Sequence, residues 1–228
     1  MARPATVSPD QILDAAALEF SERGYAGARV DRIARRARVN KAMLYYHFGS
    51  KQSLYRALLR RIFSHAADRL QPIAAAALPA DEKIARVIAA IASFTAEHAF
   101  FPAIMLREVA DGGVHLDQDT LKALARVPML VGRVVQGGVA DGTLRRVHPM
   151  TAYFSMLAPI VFFLAGAPIR NQLAARHLAN VASLTPELFV AELQQTVRLA
   201  LALPRTPRIT NAARRRAHNR SSLRRKRL

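Results

Sequence analysis

The residues best equipped for chemistry stand together between Asn40 and Lys51: Asn40, Lys41, Ala42, Met43, Tyr45, Tyr46, His47 and Lys51. They offer an amide, two ammonium groups, two phenols, an imidazole and small apolar surfaces. Such a set can hydrogen-bond phosphate oxygens and base edges and can touch thymine methyls. The charge agrees: from Arg32 to Ala67 there are nine Lys or Arg and no Asp or Glu, so the stretch is suited to a polyanion.

These side chains need a scaffold, and the neighbouring spacing supplies one. Val30, Ile33, Ala34 and Ala37 recur at i, i+3, i+4 and i+7, which predicts a short helix with one apolar stripe. A second helix follows almost at once. Asn40 is its N-cap, Leu44 and Phe48 share its inner face, and Gly49 closes it in a left-handed conformation. Two short helices joined by a three-residue turn make a helix-turn-helix, whose second helix can sit in a DNA major groove.

Upstream, Ser8-Pro9-Asp10-Gln11 reads as a helix start, with Ser8 as N-cap, Pro9 in the first helical position and Gln11 completing a capping box. Ile12, Leu13, Ala16, Ala17 and Phe20 give it a buried face, and Gly24 ends it. Downstream, Leu54, Leu58 and Ile62 predict a long helix reaching to near Leu70. Lys51 lies in its first turn, where charge and local amides together can hold a phosphate.

The residues Ala16, Phe20, Arg23-Gly24-Tyr25, Val30, Ile33-Ala34, Ala37, Val39, Leu44-Tyr45-Tyr46-His47-Phe48, Ser50-Lys51 and Leu54 carry a further signal. Here the chain resembles the TetR family of one-component bacterial transcriptional regulators. The resemblance covers the N-terminal signature; for the rest of the chain it implies only an arrangement, a divergent helical ligand and dimerisation domain. Two positions depart from the family pattern. Arg38 stands where the family usually has Gly in the turn, and Arg29 where it usually opens the first motif helix with Thr or Ser. At Arg29 a phosphate contact can survive through charge while the cap is lost.

A chain of 228 residues can hold one compact domain and a small one. Zero Cys excludes disulfides, thiolate metal sites and cysteine catalysis, and fits a reducing cytoplasm. The opening M-A-R-P-A-T-V-S has no apolar core of a signal peptide. The expectation is a cytoplasmic protein without cofactor or metal. The seven His are scattered, with no H-E-x-x-H, no nucleophile elbow and no clustered carboxylate pair, so no enzyme is expected. The net charge of +18 is uneven. Residues 1–60 carry eleven Lys or Arg against five acids, 61–203 carry thirteen against eleven, and 204–228 carry ten against none.

The fold class expected is all-α: residues 1–52 as a three-helix DNA-binding unit, 53–203 as a helical effector and dimerisation domain, and 204–228 as a disordered Arg-rich tail. In the body, Pro72 and Pro79 act as punctuation, and Asp81 caps a helix carrying Ile84, Val87, Ile88, Ile91 and Phe94. Pro102 starts the next helix, which Asp111-Gly112-Gly113 ends. A helix from about Asp117 to Ala140 should be kinked or divided by Pro128, before the turn Asp141-Gly142-Thr143. Residues 149–169 hold no charge. Their length matches a bilayer crossing, but Pro159, Gly166 and Pro168 interrupt the run, and a helix buried at a subunit interface needs the same composition, so no membrane partner is expected. With the last helix, capped at Thr185 and carrying Leu188, Phe189, Leu193, Val197 and Leu201, this run is assigned to a four-helix dimer interface, as the resemblance also implies.

A two-fold dimer presents two recognition helices, which reach successive major grooves when spaced by roughly 34 Å. The DNA partner should therefore be a double-stranded near-palindrome. Base readout falls to Lys41, Ala42 and Tyr45, with Met43 a further candidate; Arg29, Asn40, Tyr46, His47 and Lys51 position the backbone. A homodimer released by a small-molecule effector is the function implied. Phe94, His98, Phe100, Phe101, Met105, Tyr153, Met156, Phe162 and Phe163 are candidates to line the effector cavity, with Arg107, Glu108 or His115 orienting a mostly apolar or amphipathic ligand. The competing reading is a non-specific, architectural nucleic-acid-binding protein driven by its basic ends. Residues 1–7 read as a loose arm whose Arg3 can approach a minor groove. The tail either adds salt-sensitive DNA affinity or is solvated without a selected role.

Overall fold

A computed structural model describes residues 8–181 and 183–203. The N-terminal arm with Arg3 and the Arg-rich segment from residue 204 lie outside the described residues. The described chain is helical throughout, its one β feature being the isolated bridge Leu144–Ala202.

Helix α1 (Pro9–Gly27) begins with the capping box expected: the Ser8 hydroxyl accepts from Gln11 N–H and the Gln11 side chain accepts from Ser8 N–H. Gly24 does not end it cleanly. At φ +68° it breaks the helical path, and one further turn continues to Gly27. Helix α2 (Val30–Arg36) has no side-chain cap at Arg29, and buries Val30, Ile33 and Ala34. Helix α3 (Lys41–Phe48) is capped by the Asn40 side chain, which accepts from Met43 N–H at 2.6 Å, and ends at Gly49 with φ +73°. In the turn between α2 and α3, Arg38 takes φ +57°. A side chain in that region costs roughly 1–2 kcal/mol, which glycine would avoid.

Helix α4 (Lys51–Ala75) starts from the Ser50 cap and, at 25 residues, spans about 37 Å. It runs past Pro72, which sits near its end and removes only one backbone donor there. Helices α5 (Ala80–Glu97), α6 (Phe101–Ala110), α7 (Gln118–Ala140), α8 (Pro149–Ala165), α9 (Ala167–Ala175) and α10 (Pro186–Leu201) complete the body. Two expectations fail in detail. Asp81 does not cap α5, whose N-cap is Pro79; it lies inside the first turn, 3.3 Å from the Arg198 guanidinium. Pro128 does not divide α7, which continues through it.

The core has two parts. One gathers α1–α3, the first half of α4, Phe94, Phe101 and Ile104; the other gathers the end of α4 with α5, α7, α8 and α10. Helix α4 contributes to both, so the reading unit is anchored on the same rod that runs through the body. The uncharged run forms α8 and the first residues of α9, which meet at a bend of 53°, and no single helix among the described residues is long and apolar enough to cross a membrane. Along α8, Met150, Phe154, Ala158 and Phe162 fall on one ridge and stay exposed, an apolar stripe with no cover in a single chain.

Candidate nucleic-acid interface

The reading unit is held from below by a carboxylate. Glu19, 1 % exposed, accepts from Arg29 N–H at 3.2 Å and lies 3.5 Å from the Arg32 guanidinium. It thus satisfies the backbone N–H of the N-cap residue Arg29, the half of a capping box that an acid at N3 would otherwise supply, while the N–H groups of the first turn gain no side-chain acceptor. Glu19 was not among the sequence candidates, although it falls three residues after Ala16, in the buried register of α1. That register was the available signal.

Leu44 is fully buried beneath α3 and Phe48 packs on the core, leaving Lys41, Ala42, Tyr45, Tyr46 and His47 outward and Met43 half-buried. Tyr46 is 85 % exposed and Tyr45 41 %, so Tyr45 leans partly on the protein and Tyr46 does not. The His47 ring meets Tyr46 edge-on, with centroids 5.4 Å apart. Lys41 is not a free cation: its Nζ sits 2.9 Å from Asp31 Oδ1 at the first turn of α2. The hydrogen bond from Lys41 holds the Asp31 carboxyl below its usual range and lifts the lysine in return. Lys51 is likewise engaged. Its Nζ donates to the Ala26 carbonyl at 3.3 Å and lies 4.7 Å from the centre of the Tyr25 ring, and burial lowers its pKa while the Glu19 charge opposes the change.

The nine-cation run is therefore less basic in space than in sequence. Arg36 pairs with Glu22, holding that carboxyl low, while Arg61 pairs with Asp10 and Asp14. Arg56 and Arg60 turn to Asp117 in the body. The acids come from flanking segments that a linear count leaves out. Among the described residues, Arg35 and Arg38 are the cations of the run with no acidic partner and no other polar engagement of the side chain.

The candidates for an effector site separate into several places. Phe94, Phe101, Met105 and Tyr153 line a small apolar cavity of about 40 Å³, room for a water or two and far below a ligand of ordinary size. Met105, Tyr153 and Phe162 line a second feature, an open groove of about 1070 Å³ between α6, α7 and α8. Met105, Leu124, Tyr153 and Leu157 belong to both walls, so they form the partition between groove and cavity. Tyr153 carries the one side-chain hydroxyl in that partition, and burial pushes it up to about 12.

The other candidates are placed elsewhere. Met156 is fully buried on the inner face of α8. His98 caps the end of α5, stacking on Phe94 with Nδ1 2.9 Å from the Phe94 carbonyl, and Phe100 packs beside it. Phe163 stacks on Phe189 at 4.0 Å. Arg107 and Glu108 line neither the cavity nor the groove. Arg107 donates to the Phe20 and Ser21 carbonyls of α1, and Glu108, 2 % exposed, accepts from Tyr55 Oη, His115 N–H and the His115 ring. Both are spent on joining α6 to the reading unit. Among the described residues no group of three or more His, Asp or Glu could hold a metal.

Residues 12–58, from the first turn of α1 into α4, match the family described as bacterial regulatory proteins, tetR family. Over 164 residues the chain is 28 % identical to the HTH-type transcriptional repressor NicS of Pseudomonas putida, covering 71 % of this chain and 77 % of that one. Over 56 residues it is 45 % identical to IcaR, a negative transcriptional regulator of a biofilm operon in Staphylococcus aureus, covering 25 % of this chain and 30 % of IcaR. Two solved structures share its fold. The transcriptional regulator FadR from Bacillus subtilis, in complex with stearoyl-CoA, superposes with a TM-score of 0.65 at 20 % identity, over 86 % of this chain and 98 % of that one. PfmR from Thermus thermophilus gives 0.61 at 24 % identity, over 88 % and 100 %. A three-helix reading unit of this geometry, the match across it and the fold of the body lead to one conclusion: residues 12–58 are a DNA-binding unit of the TetR family type, set on a helical body whose fold the solved regulators share.

Proposed function

We propose that two copies of this chain form a two-fold dimer that represses transcription by binding a near-palindromic operator, and that an apolar or amphipathic small molecule releases it. The observation that carries the reading is the outer face of α3, where Lys41, Ala42, Tyr45, Tyr46 and His47 project from a unit whose inner side is fully packed. Lys41, Ala42 and Tyr45, with Met43, read base edges. Arg29, Asn40, Tyr46, His47 and Lys51 set the register on the phosphates. Lys51 contributes through the α4 N-terminus that it helps to fix, since its own ammonium is held by Ala26 and Tyr25.

The uncovered stripe Phe154–Phe162, which is also the α8 wall of the groove, supports the dimer, in which a second copy seated on α8 would roof the groove. The groove supports the effector class: its lining has no charged side chain, and Tyr153 is its one polar residue. FadR from Bacillus subtilis holds stearoyl-CoA, and a long acyl chain has the character this groove would accept. Ligand entry that displaces the Met105–Tyr153 partition shifts the dimer to a spacing that no longer fits the operator. The protein acts in the cytoplasm by binding alone, with no cofactor or catalytic step.

Selection from a random double-stranded DNA pool tests this, with the full chain beside a version truncated after Leu203. Enrichment of one near-palindrome by both supports the reading and leaves the tail to tune affinity. Binding that enriches nothing and vanishes with added salt supports the architectural reading instead. Titrating palmitate into the complex with the selected duplex tests the effector class; undiminished binding at saturation removes acyl chains from it.

A further inference from the structure

Arg38 occupies the turn between α2 and α3 at φ +57°, a conformation that glycine adopts freely and arginine does not. The turn itself gains nothing from the side chain, which is exposed and makes no ion pair or side-chain hydrogen bond among the described residues. Every acidic side chain of the protein lies within the described residues, and none of them pairs with the guanidinium. Its backbone N–H bonds to the Arg35 carbonyl at 3.1 Å, which fixes the Cα close to the second free cation of the run. Two residues on, Asn40 caps the helix whose first exposed residues are Lys41 and Ala42. The long guanidinium arm therefore issues beside the end of α3 that enters the groove. Lys41 and Lys51, the other cations at this edge, are already held by Asp31 and by Ala26 with Tyr25.

We infer that Arg38 is a phosphate anchor, held against backbone strain, whose charge fixes how the start of α3 enters the major groove. This rests on α3 being the DNA-facing helix. A guanidinium suits the role because its planar fork can meet a phosphate with two hydrogen bonds. The anchor carries no sequence information, so its loss weakens binding to any duplex.

The test compares the full chain with Arg38→Gly and Arg38→Gln on two probes, a duplex selected by the unaltered chain and a random-sequence duplex of equal length, between roughly 50 and 200 mM salt. Arg38→Gly should melt roughly 2–4 °C higher, as relief of the strain in a chain of this size implies. It should bind both duplexes about tenfold more weakly, with a salt slope shallower by about one. Arg38→Gln should lose the same affinity without the gain in melting temperature. Unaltered affinity in Arg38→Gln overturns the inference. So does an unaltered melting temperature in Arg38→Gly, which removes the strain argument, or weakening on the selected duplex alone, which makes Arg38 a base reader. If selection enriches no duplex, the operator reading fails separately, while the random duplex still decides for or against the anchor.

Discussion

Tyr55 Oη donates a hydrogen bond of 2.9 Å to Glu108 Oε2, joining α4, on which the reading unit stands, to α6, which walls the groove. Helix α6 is thereby divided between two tasks. Met105, Leu106 and Val109 face the groove, whereas Arg107 grips the end of α1 and Glu108 grips α4 and His115. The same short helix touches the site of proposed ligand entry and two helices of the DNA-binding side, so its position is the natural point at which the two are coupled.

Removing the Glu108 carboxylate leaves the Tyr55 hydroxyl and the His115 N–H without their buried acceptor. Glu108→Ala should therefore cost about 2–4 kcal/mol in urea unfolding, against about 1 kcal/mol for Tyr55→Phe, which takes away one donor and leaves Glu108 its bonds from His115. Equal and negligible losses would show that the network contributes nothing to stability.

Alkaline pH should act through the two buried phenols. Burial raises Tyr55, with the Glu108 charge and hydrogen bond adding to it, and burial raises Tyr153 to about 12. A folded pKa above the unfolded value of about 10 means stability that is complete below pH 10 and falls as pH rises beyond it. Once pH has passed through both values Tyr153 alone accounts for a loss of about 3 kcal/mol, of which about 2 falls between pH 10 and 12. Urea unfolding at stepped pH should show Tyr153→Phe flattening this decline; a decline of unchanged steepness would assign it to other groups.

On the proposed reading of α3, Asp31 competes with DNA for Lys41. Asp31→Asn should free the ammonium and remove a carboxylate that phosphate would face, so affinity for random-sequence DNA should rise roughly 3–10-fold, with a steeper salt slope. Fluorescence anisotropy checks this, and weakened binding would mean that Asp31 serves instead to aim Lys41.

Phe162→Asp places a charge on the exposed α8 ridge without disturbing the core, since Phe162 is 75 % exposed. The variant should remain folded and sediment as a monomer, and should lose operator affinity because two half-sites are no longer bound together. A dimer of unaltered stability would move the interface elsewhere.

Much of the reading unit was legible in the sequence because its signals are local. Ser8, Asn40 and Thr185 cap the helices that their positions predicted, and the apolar spacing of α2 and α4 fixed which faces are buried. What could not be read depends on partners distant along the chain. Glu108 and Arg107 looked like polar groups for a ligand, yet their partners are Tyr55, Phe20 and Ser21. Lys41 looked free until Asp31 was brought to it, and Arg56 and Arg60 looked like DNA cations until Asp117 arrived from the loop before α7. Prolines misled in the opposite direction. Pro72 and Pro128 remain inside helices because tertiary packing outweighs one missing backbone bond. The site residues were thus visible as types, while their division between cavity, groove and interhelical contact appears only in three dimensions.

The central claim, a dimer reading two half-sites, is tested most directly by hydroxyl-radical footprinting of the full chain on its selected duplex, with stoichiometry measured on the same sample. Two protected patches on one face of the duplex, centred about one or two helical turns apart, with one dimer per duplex as the smallest complex, is the result predicted. Even protection along the whole duplex, with chains adding in proportion to its length, would contradict it and leave only non-specific attraction to the phosphates.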